Sequence, residues 1–170
     1  MNEREIDGNQ FLSMLAGGLN GLKAVADEIN DLNVFPIPDG DTGDNMVSTM
    51  AGGVQASASL KSLSCGEVAQ SAARGMLLGA RGNSGVILSQ MFAGIAEGLL
   101  GAVRADALKI ALAFEGGVKH AYASLSDPVE GTILTVMRLA SDYAKKRTDG
   151  SSTVDSYFKD YLSEAERALP

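Results

Sequence analysis

The sequence predicts an all-α domain, a bundle of about seven antiparallel amphipathic helices joined by short loops. Apolar residues recur at three- and four-residue steps in nearly every segment between glycine-rich breaks. No pair of alternating apolar and polar runs with a turn between them is present. The chain is 45% hydrophobic but only 5% aromatic, with 20 glycines and no tryptophan, a composition suited to small-residue helices packed closely. At 170 residues, positions 1–170 are expected to form a single domain with a proper core.

The first helix is predicted over Gln10 to Leu32, where Phe11, Leu12, Leu15, Leu19, Leu22, Val25, Ala26 and Ile29 share one face. Asn45 is expected to cap a second, running from Met46 towards Leu60. A third spans Gly66 to Leu78, with Val68, Ala72 and Met76 in register. Asn83 or Ser84 is expected to cap a fourth, carrying Val86, Ile87, Met91, Phe92, Ile95 and Leu99. The fifth covers roughly Asp106 to Leu125, and the sixth starts near Gly131 and carries Ile133, Leu134, Met137, Leu139 and Tyr143. After the polar connection Lys145 to Ser152, the last helix runs from Val154 to Leu169. Methionines 46, 76, 91 and 137 are read as core fillers, and His120 as a surface or packing histidine.

A net charge of −7 argues against nucleic acid or an anionic membrane as a bulk partner. The single cysteine, Cys65, precludes an internal disulfide and suits a reducing cytoplasm; a buried or capping role is expected for it. The longest charge-free stretches, Asn45 to Leu60 and Gly82 to Ala96, are too short and too polar for an integral membrane segment.

The densest chemistry lies at residues 38–45, Pro-Asp-Gly-Asp-Thr-Gly-Asp-Asn, entered through Phe35-Pro36-Ile37-Pro38. The prolines hold the approach extended and the glycines permit tight turns. Asp39 and Asp41 are two apart, so a turn must bring their carboxylates together. Carboxylates crowded in this way repel unless a hard cation sits between them, and oxygen ligands suit magnesium or calcium. An ordinary Asx-rich turn uses the same residues, and the local sequence leaves both readings open.

Two further segments place small residues at helix starts. Ala80-Arg81-Gly82-Asn83-Ser84-Gly85 runs into the helix from Val86, and Asp127-Pro128-Val129-Glu130-Gly131-Thr132 opens another. Unpaired N–H groups and the positive helix end favour an anion such as phosphate, although a routine Ser or Thr cap explains either turn alone. An acidic loop and two such turns together are the complementary parts of a magnesium-nucleotide site. Arg81 is equally compatible with phosphate contact and with a structural ion pair.

These residues also carry a family resemblance. The run from Leu32 through Asn33, Phe35-Pro36-Ile37-Pro38 and Asp39-Gly40-Asp41-Thr42-Gly43 to Asn45-Met46 resembles the signature of a nucleotide-binding domain. That domain is shared by dihydroxyacetone kinases, as their L subunit, and bacterial fatty acid kinases. Gly79 to Gln90 and Pro128 to Val136 match in the same order, and the resemblance covers about residues 10 to 140. The Phe-Pro-x-Pro approach and the Ala-Arg-Gly-Asn-Ser-Gly turn point to the fatty acid kinase branch, whose ATP-binding subunit carries this domain at its N-terminus.

The resemblance implies a helical barrel with ATP at one end and magnesium held by Asp39 and Asp41. Asn33 stands near the place of a further metal-binding aspartate, and Asp44, where relatives often carry an uncharged residue, is a weaker ligand candidate or a solvent-facing cap. Thr42, Gly43, Asn45, Asn83, Ser84, Gly85, Gly131 and Thr132 would line the phosphate side. The acceptor would be a fatty acid, presented by a separate lipid-binding partner protein contacted through the full-length protein, and a homodimer is an open option. The related domain continues past a helix like Tyr157–Leu169, so the chain is expected to be a fragment lacking the C-terminal part of its domain and inactive in isolation. Two alternatives are a dihydroxyacetone-type phosphotransfer subunit and a metal-dependent phosphatase or hydrolase. A calcium EF-hand is excluded by Gly43, Asp44 and Met50 at ligand or glycine positions of that loop.

Overall fold

The computed structural model describes residues 3–34, 37–60 and 64–169. Among these, the elements in chain order are β1 (Glu5–Ile6), α1 (Gly8–Ala24), α2 (Ala26–Asp31), α3 (Thr42–Ala58), α4 (Cys65–Gly79), α5 (Gly82–Gly98), β2 (Ala105–Asp106), α6 (Ala107–Ala123), α7 (Ile133–Arg147) and α8 (Val154–Arg167). The all-α expectation holds. The one addition is a two-residue antiparallel ladder pairing Glu5 with Asp106 and Ile6 with Ala105, too short to show as an alternating run. No described helix is long and apolar enough to cross a membrane.

Successive helices pack on one another through glycines, which let backbones approach where a larger side chain would hold them apart. A Cβ on Gly75 of α4 would lie 2.3 Å from the Gly52 carbonyl of α3, and one on Gly94 of α5 would lie 2.7 Å from the Gly116 carbonyl of α6. Contacting positions fall in sequence number along one helix as they rise along the other: Ser57 Oγ reaches the Val68 carbonyl, while Gly79 faces Ser48. The α3–α4 pair is therefore antiparallel, and so is α5–α6, where Gly98 meets Ala113. The core collects Phe11, Leu15, Met76, Met91, Ile95, Ile110, Leu134, Met137 and Tyr157. Phe114 packs edge-on against Tyr157, Phe158 and Tyr161, which anchors α8 to α6.

Where element bounds depart from expectation, the causes are tertiary. The predicted first helix divides at Val25, where φ −121 and ψ 11 leave helical geometry. The break lays α2 across the start of α3 so closely that a Cβ on Gly43 would sit 2.3 Å from the Ala26 carbonyl. Asn45 does not cap α3, which begins earlier, at Thr42. Neither Asn83 nor Ser84 caps α5, since both lie inside its first turn and Arg81 occupies the cap position without a side-chain bond. Cys65 is buried, and burial pushes its thiol up to about 11, so it stays protonated and inert. Met76, Met91 and Met137 fill the core, but Met46 is half-buried and lines the cleft described next.

Candidate functional site

The start of α3, the start of α5 and the α6–α7 connection meet at one end of the bundle around a cleft of about 880 Å³. Its wall holds Asn33, Asp39, Asp41, Thr42 and Asn45 from the acidic segment, Gly82, Asn83 and Ser84 from α5, and Glu130, Gly131 and Thr132 ahead of α7. Thus three stretches separated by up to a hundred positions in sequence share one concavity. Ile29, Leu32, Val34, Ile37, Ile87 and Leu125 make up much of the remaining lining.

Three expected site residues stand elsewhere. Gly43 and Gly85 do not line the cleft. Gly43 is buried against α2, and Gly85 faces α3, where a Cβ would lie 2.4 Å from Thr49 Oγ1. Asp44 is exposed in the first turn of α3, off the lining, where a negative charge favours the helix end. Among the described residues no three acidic, histidine or cysteine side chains gather into a group that could hold a metal, and Asp44 does not join Asp39 and Asp41 on the cleft. The Phe35-Pro36 part of the approach lies outside the described residues.

The helix starts differ in how their donors are used. At α3 the Asn30 side chain, arriving from α2, accepts from the Gly43 N–H at 2.7 Å and the Asp44 N–H at 3.3 Å. Those two donors are therefore spent within the protein. At α5, by contrast, no acceptor among the described residues meets the N–H groups of Gly82, Asn83 or Ser84. At α7 the Thr132 and Ile133 N–H groups are similarly open, while Thr132 Oγ1 accepts from Leu134 N–H at 3.3 Å and donates to the Val129 carbonyl at 2.7 Å. Gly82 has φ +57 and packs on the Asn45 side chain, so both its backbone and the space beside it exclude a Cβ. Five amides at two helix ends on one cleft thus have no acceptor among the described residues, the condition under which a helix start favours an anion.

In the acidic segment that lines the same cleft, Asn33 Nδ2 donates to Asp39 Oδ1 at 2.7 Å. No cation among the described residues pairs with Asp39 or Asp41. Arg81 is exposed and forms no ion pair among the described residues. Local sequence reasoning missed Asn30, whose capping partner lies 13 residues ahead, and the side chains gathered on Glu130. Glu130 accepts from Tyr122 Oη (2.8 Å), Thr135 Oγ1 (2.6 Å) and Arg138 (2.8 Å), and these bonds hold its carboxyl down to about 2. The i, i+5, i+8 spacing of Glu130, Thr135 and Arg138 was the one visible signal.

An all-α bundle that gathers carboxylates and open helix amides on one end cleft is the architecture in hand. A family model described as "DAK2 domain" matches residues 36–170, most of the chain, and the chain belongs to that family of kinase-related nucleotide-binding domains. It is 42% identical over 97% of its length to an uncharacterized protein of Staphylococcus saprophyticus, and 38% identical over 99% to Protein YloV of Bacillus subtilis. An uncharacterized protein of Staphylococcus haemolyticus is 39% identical over 97% of the chain. The chain spans only about 30% of the length of these relatives.

Proposed function

We propose that the cleft binds a magnesium-nucleotide, ATP, and that the domain positions it for phosphoryl transfer to a fatty acid carried by a separate lipid-binding protein. The observation that carries this reading is the convergence of Asp39 and Asp41 with the open amides of Gly82, Asn83, Ser84, Thr132 and Ile133 on one cleft.

The donor set fits the ion. Magnesium seldom takes an all-protein cage; it keeps waters and binds through one or two carboxylates together with substrate phosphates. Two carboxylates on the cleft, neither paired with a cation among the described residues, match that demand. Asp39 and Asp41 would hold the metal, and Asn33 would steady Asp39. The open amides of α5 and α7 would take the phosphate oxygens, and the apolar residues Ile29, Leu32 and Leu125 offer a surface for a base. When bound, magnesium neutralises the charge that accumulates on the transferring phosphoryl group. The protein's own part is orientation and exclusion of water, which is most of what phosphoryl transfer requires.

The fatty acid assignment rests on the Phe35-Pro36-Ile37-Pro38 approach and the Ala80 to Gly85 turn, the features of that branch. Incubating the full-length protein with γ-labelled ATP and magnesium, with fatty acid and with or without a lipid-binding partner, tests it. Label on the acyl carboxylate only when the partner is present supports the reading. Transfer to dihydroxyacetone, or release of phosphate alone, would replace it with one of the two rival activities.

A further inference from the structure

The α6–α7 connection carries an unusual feature for a surface that would meet a polyanion: an ionised carboxylate, Glu130, in the wall of the cleft. Left alone it would repel phosphate. It is not alone, because Arg138 of α7 donates to it at 2.8 Å while Tyr122 of α6 and Thr135 of α7 donate from either side. Arg138 also donates through Nε to Tyr122 Oη at 3.3 Å, closing the set. Thr135 Oγ1 in turn accepts the Gly131 N–H at 2.7 Å. The carboxylate thus fixes the turn at Gly131, whose φ is +79, through a relay of two bonds. The next two amides, Thr132 and Ile133, are the open ones.

We propose that Glu130, locked by Tyr122, Thr135 and Arg138, is a positioning residue that holds the start of α7 in the conformation that presents the Thr132 and Ile133 amides to the nucleotide phosphates. The proposal rests on the magnesium-nucleotide reading of the cleft. Glu130 touches no phosphate in this scheme; it acts by spending the Gly131 amide on Thr135 and by tying α6 to α7 across the connection. Arg138 serves two ends, cancelling the charge of Glu130 towards the ligand and holding its carboxylate in place.

MgATP binding to the full-length protein, followed by calorimetry, tests this with Glu130→Ala, Glu130→Gln and Arg138→Met. Glu130→Ala and Arg138→Met should each weaken affinity about tenfold, the scale of a lost charge-assisted bond. Glu130→Gln, which keeps the shape, should fall between wild type and Glu130→Ala. The double variant Glu130→Ala/Arg138→Met should bind no worse than either single one, because the two residues act as a unit. Hydrogen exchange at saturating MgATP separates positioning from general destabilisation. In Glu130→Ala, protection of the Thr132–Leu134 amides should be lost while that of Gly82–Gly85 persists. Unchanged affinity, tighter binding from removal of a repulsive charge, or equal loss of protection at both helix ends would overturn the proposal. If Asp41→Ala binds MgATP like wild type, the reading of the cleft fails and this proposal falls with it; retained binding in the Glu130 variants alone refutes only the positioning role.

Discussion

Gly85→Ala should separate a phosphate-contacting glycine from a packing glycine, and the structure assigns it to packing. The new Cβ would stand 2.4 Å from Thr49 Oγ1 and 3.3 Å from the Asn45 carbonyl, both on α3. Thr49 is fully buried and its hydroxyl is tied to the Asn45 carbonyl at 2.8 Å, so it has little freedom to turn aside. Reaching ordinary contact requires α3 and α5 to part by roughly 1 Å, and overpacking of this kind costs about 1–3 kcal/mol. For a domain of this size that corresponds to a melting temperature lower by roughly 2–12 °C. Because α3 carries Asn45, with Asp41 at its cap position, and α5 carries Asn83 and Ser84, parting them also widens the cleft. Misplacement by about 1 Å can cost on the order of a hundredfold in rate. The assay is a thermal-unfolding cycle with Gly85→Ala, Thr49→Ala and the double variant, beside MgATP affinity. Thr49→Ala removes the obstructing oxygen, so the double variant should show a coupling of about 1 kcal/mol or more in favour of rescue. A Gly85→Ala variant with wild-type stability and affinity, or strictly additive effects, would refute the packing account.

Asn30→Ala should destabilise the domain by about 1 kcal/mol, the usual cost of a lost helix cap, and should weaken MgATP binding through the displaced start of α3; equal melting curves for the variant and wild type would count against the cap. Glu130 should titrate near 2 by carbon-detected NMR, since its bonds to Thr135, Arg138 and Tyr122 favour the ionised form. Its folded-state value is depressed, so the stability it contributes is fully present above its unfolded value and is lost progressively as pH falls from there through about 2; an ordinary carboxyl midpoint would show that these bonds do not persist. Gly75→Ala, whose Cβ would meet the Gly52 carbonyl at 2.3 Å, should be among the most destabilising single substitutions in the α3–α4 pair, and a wild-type melting temperature would contradict that crossing.

The helices were legible because each buries one stripe, and the stripe repeats in the sequence at 3.6 residues. The cap at Thr132 was local and readable in type. What could not be read was set by neighbours remote in sequence. The break at Val25 exists because α2 must cross Gly43, and α3 starts at Thr42 because Asn30, thirteen residues back, caps it. Gly85 looked like a phosphate glycine because it follows Asn83-Ser84; only the position of Thr49 shows that it spaces two helices. The meeting of the three motifs on one cleft was expected from their complementary chemistry, while their separation in sequence held no information about distance. The network on Glu130 was hidden for the same reason, since Tyr122 belongs to the preceding helix.

The central claim is that Asp39 and Asp41 hold magnesium against a nucleotide whose phosphates sit on the open amides of α5 and α7. Calorimetric titration of ATP into the full-length protein, with and without magnesium, for wild type, Asp39→Ala and Asp41→Ala tests it most directly. The account predicts magnesium-dependent binding by wild type and its loss in both variants, each of which should unfold at or slightly above the wild-type temperature without metal because one like charge is gone. ATP binding that is indifferent to magnesium, or that survives either substitution at wild-type affinity, would contradict it.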